Sequence, residues 1–355
     1  MQSERTIEIE EAWITLNRSC NLRCKWCYAQ GTGYSQNDNM DYNLFLSLTE
    51  LLFQLCVKSI AFIGGEPTLY PKLPEAIKYV SDKQMYSSII TNGLLLSKMD
   101  YLRAIKDAGL SAVNISFKGW DQDSYIRNTG VDGFAIALSA LKNVRKMCIP
   151  GVASFVLSKE NILFLPSLIE EALKCGKSDF YLSFEQDFCR LDNKVAAGTI
   201  EDILFTIKQF EAQYVLIDQM TSGRFVLHQS LPFCLWNKDV ISTMEKKGQL
   251  SSHCQLRERS GIIFDTDGSL LLCNSMYQVP IGKYGVDFYD KESFESFWSS
   301  EKVESLISDI CKVTDKCISC DRLSVCGGGC IAFWLNNNES ALSLRENIVN
   351  DAVHA

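Results

Sequence analysis

The sequence predicts an α/β fold, a parallel barrel followed by a cysteine-rich extension. Three observations carry this. Short β-branched segments alternate with amphipathic ones six times between residue 11 and about residue 215. Such alternation implies parallel strands joined by right-handed crossovers. After about residue 225 the rhythm breaks and cysteines crowd the chain. Six β/α units in about 200 residues fit a partial or full barrel better than a dinucleotide-binding sheet.

Each element has a local reason. "AWITLN", from Ala12, is apolar and β-branched and reads as a strand. A cysteine loop, "RSCNLRCKWCYAQGTG", follows at 18–33. "DYNLFLSLTELLFQLC" has helical spacing at Leu44, Leu48, Leu51, Leu52 and Leu55. "SIAFIGG" is a buried strand ending in glycine, and "LPEAIKYVSDK" is a helix. "YSSIITNG" is a strand with a turn signal, and "SKMDYLRAIKDAG" is a helix with a glycine stop. Strand, helix and strand follow in "SAVNISF", "GFAIALSALKNVRKM" and "GVASFVLS". "NILFLPSLIEEALKCG" is a helix, "SDFYLSFE" the sixth strand and "IEDILFTIKQFEAQY" a further helix. "SGIIFDTDGSLLLCN" reads as a hairpin turning at Asp267-Gly268. These signals divide the chain into a barrel at 11–225, an extension at 226–335 and a polar tail at 336–355.

Composition narrows the function. The 355 residues suggest about two domains. A net charge of −8 argues against a nucleic-acid binder, which needs a basic face. "MQSERTIEIEEAW" lacks a signal-peptide pattern, and no apolar run approaches the ~20 residues of a membrane span. A soluble, cytoplasmic chain without a membrane partner is expected. Its 15 cysteines then read as metal ligands rather than disulfides.

In barrels, chemistry collects at the C-terminal strand ends. Cys20, Cys24 and Cys27 sit on the first such loop. Three thiolates suit zinc or an iron–sulfur cluster. A structural zinc site closes with four protein ligands, so the triplet needs a distant fourth ligand for zinc. A [4Fe–4S] cluster accommodates three, leaving one iron open to a small molecule. On the second loop stands "GGEP", Gly64 to Pro67. The glycines permit close backbone approach to a ligand, and Glu66 can accept from an ammonium group; a tight β-to-α turn is the plain alternative.

CX3CXφC on the first loop with GGEP on the second resembles the radical S-adenosylmethionine (SAM) superfamily. The resemblance implies a partial (β/α)6 TIM barrel. It implies that Cys20, Cys24 and Cys27 bind a [4Fe–4S] cluster whose fourth iron is chelated by SAM. Reduction then cleaves SAM to methionine and a 5′-deoxyadenosyl radical, which abstracts hydrogen from substrate. Gly64, Gly65, Glu66 and Pro67 match the segment that holds the methionyl amine. Asn92 and Ser116 match positions near ribose or carboxylate, although a turn or cap role fits them too. Arg127, on the following loop, could pair with the carboxylate or lie at the surface. Val156 and Leu157 could line the adenine site.

The extension resembles the SPASM domain. Cys254, Gly268 and Cys273, then Cys317, Cys320, Cys326 and Cys330, match its spacing. The resemblance implies two auxiliary Fe–S clusters, cluster I on Cys254, Cys273 and Cys330, and cluster II on Cys317, Cys320 and Cys326. The usual seventh cysteine is missing, since none follows Cys330. Cluster II could recruit Asp321, Cys311 or Asp351, and cluster I Cys234 or a substrate. A single auxiliary cluster with zinc or free thiols is the alternative. Cys56, Cys148 and Cys175 lie at helix ends and read as packed structural thiols. Cys189 and Cys234 are candidates to donate a hydrogen atom at the barrel mouth.

The combined resemblance points to a maturase of a ribosomally made precursor peptide (RiPP). The outcome would be a crosslink, thioether, dehydrogenation or epimerisation. The resemblance implies a reducing partner, flavodoxin or ferredoxin. The barrel strand begins near Ala12, too early for an N-terminal recognition domain, so a separate peptide-recognition protein is a candidate partner. Asn274 after Cys273 stands where sulfatase maturases place a catalytic Asp, against that reading. The alternatives are a small-molecule radical SAM oxidoreductase and a non-enzymatic Fe–S or zinc interaction protein.

Overall fold

The computed structural model describes residues 8–29, 35, 37–185, 188–189, 194–195, 199–228, 231–276 and 280–336. Six strands form where the alternation places them. They are β1 (Glu11–Thr15), β2 (Ser59–Ile63), β3 (Tyr86–Thr91), β4 (Ala112–Ser116), β5 (Gly151–Leu157) and β6 (Phe180–Phe184). Each pairs in parallel with the next. Between them run α1 (Tyr42–Gln54), α2 (Leu73–Asp82), α3 (Met99–Asp107), α4 (Gln122–Thr129), α5 (Phe134–Lys146) and α6 (Leu165–Lys174).

Helix α4 is absent from the sequence reading, because "QDSYIRNT" has no apolar stripe. It forms through its ends. Asp121 and Ser124 make a reciprocal capping box, and Gly130 closes the helix at φ 73°. Arg127 therefore lies on a helix, not a loop.

Beyond β6, β7 (Phe188–Cys189) and β8 (Lys194–Val195) pair antiparallel. Helix α7 (Ile200–Thr221) starts at a Thr199–Asp202 capping box. The parallel sheet then continues. β9 (Phe225–His228) pairs with β6, and after α8 (Lys238–Lys246), β10 (Leu250–Ser251) pairs with β9. Hydrogen bonding of the sheet thus crosses position 225. Strands of four and two residues are too short to show period-two alternation.

After α9 (Gln255–Glu258), the hairpin forms as expected from β11 (Gly261–Phe264) and β12 (Ser269–Leu271), with Gly268 at φ 82°. β13 (Pro280–Lys283) adds to it. β11 also pairs in parallel with β1, from Glu11↔Gly261 to Ile14↔Phe264. The result is one 11-stranded sheet ordered β10-β9-β6-β5-β4-β3-β2-β1-β11-β12-β13. Short helices α10 (Lys291–Trp298), α11 (Glu301–Ile310), α12 (Asp315–Ile318), α13 (Leu323–Cys326) and α14 (Ile331–Asn336) complete the described chain. The tail beyond Asn336 lies outside the described residues.

Strand alternation sorts the two faces of the sheet. Ala12, Ile14, Phe62, Ile89, Ile115, Leu157 and Leu182 are completely buried. Burying each larger side chain stabilises by roughly 1.5–3 kcal/mol. The alternate positions, including Trp13, Asn114, Ser116, Ser154, Tyr181 and His228, are only half-buried and mostly polar. That polar face is the one able to receive a ligand. Among the described residues no helix is long and apolar enough to cross a membrane.

Candidate functional site

The cysteine loop leaves the C-terminal end of β1 and is stitched to the end of β2. Gly65 N–H donates to Asn17 O and Glu66 N–H to Ser19 O, both at 2.8 Å. The Asn17 amide donates to Glu66 O at 3.0 Å. A Cβ at Gly64 would lie 2.4 Å from Asn17 Oδ1, and one at Gly65 2.3 Å from Ser19 O. Both glycines are therefore required by the cysteine loop itself, whose backbone lies where a side chain would go. Helix α4 holds the other side: Arg23 N–H donates to Thr129 O (2.8 Å) and Lys25 N–H to Asn128 O (3.1 Å).

Glu66 is 1% exposed, and its carboxylate points inward. Oε1 accepts from Thr68 N–H (3.1 Å), the Thr68 hydroxyl (2.5 Å) and the Thr91 hydroxyl (2.5 Å). Oε2 accepts from Asn92 N–H at 2.7 Å. Burial raises its pKa, and the Asn92 and Thr donors pull against that. Its side chain thus locks β2 to β3. Pro67 opens a buried single turn at 67–69.

The three thiols share one electrostatic environment. Burial pushes Cys20 up to about 12, opposed by a Leu22 N–H that donates to its sulfur at 3.4 Å, with Glu66, Cys24 and Cys27 adding to the rise. Burial also raises Cys24, and the Lys118 ammonium is the main opposing influence. Lys118 donates to the Ser116 hydroxyl and stands 5.7 Å over the Trp26 ring. The sequence reading missed it and favoured Arg127, which is exposed and lies 5.7 Å over Trp120. The signal was available: Lys118 is two residues after Ser116 at the end of β4.

The remaining candidates divide. The Asn92 amide donates to Asn21 Oδ1 at 2.7 Å, tying β3 to the cysteine loop. Ser116 is on the half-buried polar face, as is Val156. Leu157 is fully buried on the opposite face, so its side chain cannot line an adenine site there.

The extension clasps the same loop. Arg18, 3% exposed, forms an ion pair with Asp265 in the β11–β12 turn. Thr266 Oγ1 donates to Asp38 at 2.8 Å. Tyr28 donates to Gly64 O at 3.1 Å.

Cys254 caps the start of α9, Cys273 follows β12 and Cys330 precedes α14. These three are in mutual electrostatic reach. Burial raises Cys273, with Cys254 adding, and pushes Cys330 up to about 12, with Cys273 and Cys254 adding. Ser275 N–H donates to Cys273 Sγ at 3.4 Å. Cys317, Cys320 and Cys326 lie on α12, just after it and on α13. The Thr314 hydroxyl reaches Cys317 Sγ at 3.5 Å, and Cys320 Sγ lies 3.9 Å from Asp321.

Cys311 ends α11 half-buried; burial raises its pKa, with Arg257 opposing and Cys254 adding. Cys234 is exposed in a single turn whose Phe233 N–H donates to Cys326 Sγ at 3.3 Å. Cys56 and Cys148 are exposed at left-handed positions after α1 and α5, not packed; Cys175 is buried. The Cys189 side chain and Asp351 lie outside the described residues. Among the described residues no three His, Cys, Asp or Glu side chains close to the spacing of a single metal ion.

All-thiol donor sets with backbone N–H groups aimed at sulfur fit iron–sulfur clusters. Residues 14–172, which contain Cys20, Cys24, Cys27 and GGEP, match the family described as the radical SAM superfamily. A probable GTP 3',8-cyclase of Sulfurisphaera tokodaii is 31% identical over 176 residues, 49% of this chain and 55% of that protein. The Fe-coproporphyrin III synthase of Methanosarcina barkeri is 31% identical over 169 residues, 47% of this chain and 42% of that one. The chain thus spans about half the length of curated relatives it matches. Two solved structures share the fold over 94% of this chain. Native anSMEcpe with bound AdoMet and Cp18Cys peptide has a TM-score of 0.68 at 18% identity, covering 92% of that chain. Streptococcus suis SuiB bound to precursor peptide SuiA has a TM-score of 0.71 at 15% identity, covering 74%.

Proposed function

We propose that this protein is a radical SAM enzyme that modifies a ribosomally made peptide, using a barrel at 11–225 and an auxiliary-cluster domain at 226–335. The observation that carries it is the cysteine loop sewn to GGEP by paired backbone bonds, with Lys118 standing 5.7 Å over the Trp26 ring of that loop. Cys20, Cys24 and Cys27 hold a [4Fe–4S] cluster that supplies the electron for SAM cleavage. Gly64 to Pro67 shape the wall beside it, and Ser116 orients Lys118. Lys118 offers an ammonium to the SAM carboxylate, the role expected of Arg127. Cys254, Cys273, Cys330 and the set Cys317, Cys320 and Cys326 hold auxiliary clusters. Cys234, exposed beside the second set, is a candidate hydrogen donor or ligand.

A peptide is favoured by the six extension cysteines, and by a fold shared with two structures that contain peptides. Asn274 after Cys273 leaves no carboxylate where a formylglycine-forming base is expected. A flavodoxin or ferredoxin supplies electrons, and the cytoplasm, where thiols stay reduced, suits the chemistry. The competing reading is a nucleotide-sized substrate, favoured by the 31% identity to a protein named as a cyclase.

The test is anaerobic incubation of cluster-loaded protein with SAM and reductant, scoring 5′-deoxyadenosine with candidate peptides and with GTP. Product stimulated by a peptide, with a mass change or an inverted residue in it, supports the proposal. Turnover of GTP alone would replace it with the second reading. No 5′-deoxyadenosine under any condition would end both.

A further inference from the structure

The half-buried face of the sheet continues past the part already assigned. On β4 stands Ser116, whose hydroxyl accepts from Lys118. Beyond it the same face runs across β5 and β6 to β9, and strand register fixes its rows. Ser154 stands beside Tyr181. One row nearer the C-terminal strand ends, Val156 stands beside Ser183 and Ser183 beside His228. The inward positions between are valines, so this wall carries hydroxyls, a phenol and an imidazole, and no formal charge within the strands. Toward the mouth, the first charged residue on β6 is Glu185, just past its end.

His228 ends β9, and in parallel barrels ligands are met at that end of a strand. Its ring lies against the Tyr181 ring, with centroids 6.0 Å apart and planes 28° apart, so one face of the imidazole is held. Its Nδ1 is buried and has no hydrogen-bond partner. Two rows deeper on the same face, Asn114 Oδ1 is a second buried atom without one. Such atoms are rare in folded chains and call for an unseen partner. Burial lowers the pKa of His228. The ring is therefore neutral at pH 7, and Nδ1 donates or accepts according to its tautomer. A charged group brought against this wall would lose its water and find no opposite charge within the strands. A carboxamide donates and accepts at once, and so can meet Nδ1 and the neighbouring Ser183 hydroxyl together.

We propose that the wall on β5, β6 and β9 is the substrate side of the barrel mouth, that it takes an uncharged carboxamide side chain of the peptide, and that His228 is the residue that selects it. This rests on the peptide-modifying reading and adds the class of side chain that reading leaves open. His228 acts here by binding and orienting, with no proton transferred.

The test uses the full chain, cluster-loaded and saturated with SAM. The probes are asparagine, aspartate and lysine, each as its N-acetyl N′-methylamide, and guanosine, whose base also presents an amide edge. The asparagine and aspartate probes share a shape and differ in charge. Calorimetry is expected to show the asparagine probe binding about tenfold or more tighter than the others. His228→Phe keeps a ring against Tyr181 and should abolish the preference. His228→Asn returns a polar group near the place of Nδ1 and should restore most of it. His253→Phe, at an exposed histidine paired with Glu258, should leave it unchanged. A second measurement needs no variant at His228. The chain has 3 histidines, and the nitrogen NMR spectrum of the unmutated protein, with His253 and His354 assigned by their own substitutions, should show His228 moving saturably with the asparagine probe. Equal or tighter binding of the aspartate or lysine probe, or a His228 signal that no probe moves, overturns the inference. Preference for guanosine overturns it in favour of the nucleotide-sized substrate. Formation of 5′-deoxyadenosine is scored separately. A failed ranking with SAM still cleaved removes this inference alone, and no SAM cleavage removes it together with the reading it rests on.

Discussion

Gly65→Ala puts the architecture of the site to a quantitative test. The added Cβ would sit 2.3 Å from Ser19 O, 2.5 Å from Arg18 O and 2.6 Å from Ser19 C. All three are backbone atoms, so no side chain can swing away. Ordinary contact begins near 3.4 Å, so about 1 Å of separation must be found between the β2 end and the cysteine loop. The 2.8 Å bonds from Gly65 to Asn17 and from Glu66 to Ser19 would break. Each is worth about 1 kcal/mol net, and overpacking adds about 1–3 kcal/mol. The expected loss is roughly 3–5 kcal/mol in urea unfolding of the metal-free protein. Cys20 follows Ser19 directly, so iron bound at the first cluster falls as well. Gly248→Ala is the comparison. That glycine has φ 67° and nothing within 4 Å, so only the backbone term of about 1 kcal/mol remains. If Gly65→Ala unfolds within error of Gly248→Ala and loads iron normally, Gly65 does not serve the cysteine loop.

The same contacts make other outcomes measurable. Lys118→Met is expected to weaken SAM binding about 10–100-fold by calorimetry on loaded protein, and Arg127→Met to leave it nearly unchanged; the reverse ranking would return the carboxylate to Arg127. Arg18→Met strands Asp265, which is 17% exposed, and should cost about 3–5 kcal/mol. The double variant with Asp265→Asn should recover part of that loss, and strict additivity would mean that the pair is not coupled. Glu11 has its pKa raised by burial, against bonds from Trp13 and Gln255. A raised carboxyl disfavours folding once pH climbs past the unfolded value of 4.5, increasingly up to the folded pKa. Glu11→Gln should therefore gain stability relative to wild type as pH rises from 4 to about 7, and a pH-independent difference would contradict the burial argument.

Much of this was legible because it is local. Long periodic helices such as α1 and the glycine-stopped α3 announce themselves, and so does the Asp267-Gly268 hairpin. The cysteine triplet and GGEP were found by spacing, since both lie on single loops. What escaped was short or depended on tertiary structure. β9 and β10 show too few residues for periodicity, and α4 is made by its caps. The pairing of β11 with β1 joins positions about 250 residues apart, which no local pattern encodes. Glu66 was read as an acceptor for a ligand's ammonium group; in the fold its carboxylate accepts from Thr68, Thr91 and Asn92, contacts between strands that a local motif does not announce. The bond from Phe233 N–H to Cys326 Sγ joins positions 93 residues apart, which spacing does not encode.

The most direct test of the account is the EPR spectrum of the reduced, cluster-loaded protein with and without SAM. The account predicts a SAM-dependent change in a [4Fe–4S] signal, abolished by Cys24→Ala. A spectrum that SAM leaves unmoved in the iron-replete protein, or a change that survives Cys24→Ala, would contradict three cysteines and one open iron at the mouth of β1.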